Sequence, residues 1–394
     1  MSKPLIGKIV LALSLALSLV VLSSISLADS AKEWTVLVYL NGHNSLDSFS
    51  KMNIDGMSQV GSDANVNIIV QWASIANGKT KRLYITKGGF DVVEEMAPAD
   101  MGDYNTLVDF AKWAAAKYPA KKYMVDVWNH GSGWHLQDIN VGFHVNDISY
   151  DDTTGHKITT EQLGVALGQI AQATGQKVEL YASDACLMAM GEVAGEMTNS
   201  VKYFGGSQET EPGEGWPYQT FLGRLAAKPT MNGGDLAVAL SEEYQKSYSG
   251  GVYGNKEVTF SAWDLSKMDR FYAAVRALAT ELKGLDANQL KSAFTAIDQT
   301  QAFALYDYKD LADYTNNLKA ANVRVGDHAL GEVTASMKEL LLSVNVTDTY
   351  ARAHGISVWL PSSKDDLTTY SDRYANLTFN KQTGWLDFLK LAVQ

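Results

Sequence analysis

The chain has 394 residues and an acidic balance, 44 Asp+Glu against 33 Lys+Arg for a formal net charge of -11. That balance argues against nonspecific nucleic-acid binding, which needs basic patches to displace counterions. The single cysteine, Cys186, excludes any intrachain disulfide.

Lys3 and Lys8 precede an apolar run from Ile9 to Leu22, and small residues follow to Ala28. This pattern predicts a signal peptide over 1–28. Serines interrupt the run, and a membrane span needs about 20 apolar residues, so no stable membrane anchor is expected after cleavage. No Cys stands near the cleavage site for lipid attachment. A secreted or periplasmic product follows, and a lone thiol kept in an oxidising compartment hints at use.

WTVLVYLNG (34–42) is an aromatic and β-branched run predicting a buried strand, with a helix from Ser45 to about Val60. NVNIIVQWA (65–73) and KRLYITKGG (81–89) are strand-like, and 107–117 is an amphipathic helix stopped by Tyr118-Pro119. YMVDVWNHGSGW (123–134) is a strand running into a glycine-rich turn, and a polar, aspartate-rich connection covers 146–155. A helix over 160–173 leads to the strand KVELYASDAC (177–186), with another helix from about Met188. Strands alternating with helices imply an α/β fold with a mainly parallel sheet flanked by helices. After a turn-rich loop at 207–218 come helices at 235–248, 267–283 and 290–298, then a late strand at 354–361. These suggest two portions, 29–228 and a more helical C-terminal α/β portion, 229–394, packed on the first.

Catalytic groups in open α/β sheets gather beyond the carboxyl ends of the strands. Two strands here end in His130 and Cys186. In one parallel sheet, imidazole and thiol would emerge on the same edge. An imidazolium lowers a thiol pKa and can later protonate a leaving amine, while backbone N–H groups hold the developing oxyanion. Gly131 lets the backbone approach a substrate closely.

HGSGW (130–134), DACLMA (184–189) and ETEPGEGWPY (209–218), with WTVLVYLNGHNSLD near the start of the mature chain and GWLDFL (384–389) at its end, resemble the signature segments of clostripain-like cysteine peptidases. The resemblance implies a caspase-like fold, a His130–Cys186 dyad, and an oxyanion hole from the Gly131 and Cys186 amides. It also implies cleavage after Arg or Lys, with protein or peptide substrates carrying basic residues. Such specificity asks for pocket carboxylates: Asp184 matches the family's acidic position, and Glu211 and Glu214 are further candidates. Family members are often calcium-dependent, and Asp147, Asp151 and Asp152 form an oxygen-rich stretch, but no EF-hand pattern is present and no metal site is assigned. One departure concerns self-cleavage between the His and the Cys, since no Lys or Arg occurs from Gly131 to His156 and Lys157 is the first basic residue. A metal hydrolase built on His130, His135 and His144 leaves Cys186 unexplained. The alternative from another class is a noncatalytic exported binding protein on the same fold.

Overall fold

The computed structural model describes residues 31–135, 147–361 and 363–392. The expected signal peptide and His144 lie outside these residues. Among the described residues, no helix is long and apolar enough to cross a membrane.

The strands in chain order are β1 (Lys32–Gly42), β2 (Val66–Ser74), β3 (Lys79–Thr86), β4 (Gly89–Met96), β5 (Ala120–Trp128), β6 (Ile148–Asp151) and β7 (His156–Ile158). They continue as β8 (Val178–Asp184), β9 (Val201–Gly206), β10 (Ser249–Gly251), β11 (Gly254–Asn255), β12 (Thr259–Asp264), β13 (Tyr308–Asp310), β14 (Leu341–Val346) and β15 (Ser357–Trp359). Nine of them form one sheet in the order β14-β12-β9-β8-β5-β1-β2-β3-β4. Its centre, β9-β8-β5-β1-β2, is parallel, and antiparallel strands extend both edges. The sheet crosses the expected boundary near residue 228, because β12 and β14 belong to the C-terminal portion.

The central strands are apolar almost throughout because both faces are covered. Along β1, Val36, Val38 and Leu40 enter one core while Leu37 and Tyr39 enter the other. Helices Asp47–Val60, Tyr218–Ala227 and Gly233–Tyr248 cover one face; Tyr104–Lys117, Thr160–Thr174 and the C-terminal helices cover the other. The helix Thr160–Thr174 shows why its bounds were legible: Thr159 and Gln162 form a capping box, and Gly175 ends it in the left-handed region at φ 68°.

The helix expected from Met188 is only Gly191–Gly195, and the late strand shortens to Ser357–Trp359. Lys157 sits in β7 rather than at a helix start.

Candidate active site

The register between β5 and β8 sets the site. Trp128 pairs with Asp184, and the Asn129 amide donates to the Asp184 carbonyl at 3.1 Å. His130 and Cys186 each follow two residues later, so parallel pairing delivers both to the same edge. A Cβ on Gly131 would lie 2.6 Å from the Cys186 carbonyl oxygen, so the backbone after the histidine packs directly on the backbone of the cysteine. Only glycine allows that approach.

The HGSGW segment is clamped from behind. Gly133 has φ 65°, and a Cβ there would meet Met190 Sδ and the Tyr308 ring. The Tyr308 hydroxyl donates to the Ser132 carbonyl at 2.7 Å. Trp134 is buried among His135, Trp359, Tyr370 and Tyr374. His135 therefore belongs to an aromatic box, not to a ligand set with His130.

His130 is half-buried, and its Nε2 lies 3.0 Å from Ser45 Oγ, just before the helix Asp47–Val60. Sequence reasoning missed Ser45, since no local pattern marks a serine that meets a histidine 85 positions later. The Glu211 amide donates to Cys186 Sγ at 3.2 Å. Leu187, directly after Cys186, has φ 64°, a strained conformation for a side chain of this size.

Burial pushes the Cys186 thiol up to about 11, helped by the Glu209 and Asp184 charges, and burial pulls His130 down to about 4. Burial thus disfavours the charged form of both groups.

Beside the thiol is a narrow slot lined by Leu46, Asn129, Asp184, Glu211, Gly213 and Gly215. Asp184 is 5 % exposed; its Oδ2 accepts from the Trp216 amide at 3.1 Å and the Tyr218 hydroxyl at 3.0 Å. Trp216 Nε1 donates to Glu211 Oε2 at 3.0 Å, and the buried Glu211 carboxyl shares a hydrogen bond with that of Asp184. Burial pushes Asp184 up to about 7 and Glu211 well above the ordinary carboxyl range, the charge of Asp184 adding to the latter. A third acid, Asp126 of β5, is fully buried beneath them. Sequence reasoning passed over it, although a charge inside the apolar strand YMVDVW was the available signal. Among the described residues, no ion pair reaches any of the three acids. Wider hollows elsewhere, such as that lined by Gly164, Gln172 and Asn199, hold no thiol.

Glu214 is separated from this group. Its carboxylate pairs with Lys256 near the surface at 2.5 Å, and it does not line the slot. The EPGEGW loop turns between the two glutamates, with Gly215 at φ 66°, so one enters the pocket and the other meets solvent.

The aspartates weighed as calcium ligands do not fit that role. Asp147 is held by Arg373 and by the Thr160 amide. Asp151 accepts from the Met101 amide at 2.9 Å and meets His43 Nδ1 at 2.8 Å. Asp152, next in the chain, is exposed. Among the described residues, no group of three or more His, Cys, Asp or Glu could hold a metal ion.

With this geometry in place, comparison with known proteins is decisive at the level of family. The model of the Clostripain family, Peptidase_C11, matches residues 38–391. The chain belongs to this family. Clostripain of Hathewaya histolytica is 24% identical over 317 residues, covering 69% of this chain and 59% of clostripain, so the match spans well under two thirds of that relative's length. Two solved structures share the fold. A secreted C11 cysteine protease from Bacteroides thetaiotaomicron, solved with an irreversible peptide inhibitor, superposes with a TM-score of 0.70 at 20% identity over 90% of this chain and 99% of that one. An inactive zymogen C11 protease from Parabacteroides distasonis also gives 0.70 at 20% identity, covering 90% of this chain and 98% of its own. The mainly parallel, helix-flanked sheet of this family member is therefore that of the C11 proteases.

Proposed function

We propose that this chain is an exported cysteine endopeptidase that cleaves after Arg or Lys, with Cys186 as nucleophile and His130 as its acid/base partner. The observation that carries the specificity is the slot at the thiol, which brings the Asp184 and Glu211 carboxyls together. Two buried carboxyls side by side are costly to ionise, and a guanidinium or ammonium supplies the compensating charge and donors.

His130 takes the thiol proton as Cys186 Sγ attacks the substrate carbonyl. Burial disfavours the charged form of both groups, so in this mechanism the transfer accompanies attack. The Gly131 and Cys186 amides receive the oxyanion. His130 then protonates the leaving amine, and water hydrolyses the acyl-enzyme with His130 again as base. Ser45 Oγ meets His130 Nε2 at 3.0 Å and helps hold the imidazole in place.

The test is hydrolysis of matched fluorogenic peptides ending in Arg, Lys, Asp, Asn or Leu, with and without calcium, by the wild type and Cys186→Ala. Cleavage after Arg or Lys that disappears in the variant is the expected outcome. Folded wild-type protein that cleaves none of them would favour a noncatalytic binding protein, and activity surviving in Cys186→Ala would remove the mechanism.

A further inference from the structure

The Tyr218 hydroxyl lies 2.6 Å from Asp126 Oδ2 and 3.0 Å from Asp184 Oδ2. A phenol carries one proton and donates it to one acceptor. The second contact is a hydrogen bond only if that carboxyl carries a proton and donates it to the phenol oxygen. The remaining Asp126 oxygen, Oδ1, accepts the Asp184 backbone amide at 3.2 Å. Two carboxyls and one phenol thus form a chain that closes only with a proton shared between the acids.

Among the described residues no cation compensates the pair, though the Glu211 side chain shares a hydrogen bond with Asp184. Glu211 and Tyr218 face the pair from the segment after β9, and Tyr181 faces it from β8. Tyr244, Tyr248 and Tyr253 face it from the helix Gly233–Tyr248 and the turn beyond, and Cys186 from the loop after β8. These are acids, phenols and a thiol, with no Lys, Arg or His among them.

We propose that Asp126, one layer beneath the slot and outside its lining, is a positioning residue that exchanges a proton with Asp184 through Tyr218, so that entry of a guanidinium or ammonium expels a proton from the pocket. This rests on the reading of the slot as a subsite for basic side chains. The empty pocket keeps most of its negative charge masked, and the cation unmasks it. No covalent bond changes, and the proton leaves to solvent.

The sign follows from electrostatics. Burial holds Asp184 at about 7 and Asp126 well above the usual range, the latter also raised by the charge of Asp184. A bound cation favours the carboxylate form and lowers the pKa. Affinity for the cation therefore rises with pH through neutrality, and KM for basic peptides climbs as pH falls.

The experiment is calorimetric titration of the intact protein with n-propylguanidinium and n-butylammonium at pH 6.5, in two buffers of different ionisation enthalpy. The wild type is expected to release about one proton per cation bound. In Asp126→Asn the amide donates to the phenol oxygen and the phenol donates to an already ionised Asp184, so proton release falls below the wild type's by the share Asp184 gives up, leaving only what the neighbouring Glu211 releases. The acid limb of the KM profile for basic peptides moves to lower pH, while the kcat profile stays in place. A merely structural residue moves neither the proton count nor that limb. Wild-type binding without proton release overturns the proposal whatever the variant does, as does equal release by both proteins. If neither cation binds at any pH, the basic-residue reading itself fails and takes this inference with it.

Discussion

Asp184→Asn separates recognition from chemistry. The amide is close in shape to the carboxyl and can still accept from the Trp216 amide or the Tyr218 hydroxyl, which Asp184 Oδ2 now serves at 3.1 and 3.0 Å. What disappears is a charge in a buried slot. A hydrogen bond to a charged group contributes about 1.5–3 kcal/mol, so kcat/KM for Arg and Lys peptides is expected to fall roughly 10- to 200-fold. Cleavage of matched peptides with citrulline or norleucine in place of the basic residue should change little. The thiol moves the opposite way. The Asp184 charge raises the Cys186 pKa, so its removal favours the thiolate, and iodoacetamide should alkylate the variant at least as fast as the wild type. Stability gives an independent check. A carboxyl whose pKa rises to about 7 on folding contributes stability below its unfolded pKa and loses it as pH rises through the folded value. The variant's melting temperature should therefore exceed the wild type's above neutrality, with the gap closing toward acid pH. Parallel losses with basic peptides, neutral peptides and alkylation would show that Asp184 is scaffold and that the slot argument is wrong.

Other perturbations test the surrounding parts. Ser45→Ala removes one hydrogen bond to His130, worth about 0.5–1.5 kcal/mol; kcat should drop roughly 2- to 12-fold with KM unchanged, as steady-state kinetics will show. Gly215→Ala places a Cβ 2.8 Å from Asp184 Oδ2 at φ 66°; denaturant titration should reveal a loss of about 1–3 kcal/mol, together with weaker cleavage of basic peptides. Arg373→Met leaves the buried Asp147 without the guanidinium that also grips Glu161 at 2.9 Å. Removing one partner of a buried pair costs about 3–5 kcal/mol, so thermal unfolding should shift well down before any change in the dyad itself.

His130, Cys186 and the strand-and-turn segments that carry them were legible because each depends on local pattern. A buried parallel strand must be apolar, a glycine must follow where backbones meet, and reactive groups beyond strand ends read directly from the letters. The same holds for the helix over 160–174, whose capping box and terminal glycine are sequence signals. Tertiary structure decided the rest. It divided the EPGEGW loop, sending Glu211 into the slot and Glu214 to Lys256, because side-chain direction in a turn depends on φ and ψ rather than on spacing. Long-range pairing brought Ser45 to His130, and placed Asp126 and Asp184 on either side of one phenol. It also set the burial of His130 and Cys186, since burial is a property of everything packed around a group. Sequence alone pointed to His130 and Cys186 as the candidate dyad; only the fold set their burial and their partners, because desolvation and hydrogen bonding arise between segments far apart in the chain.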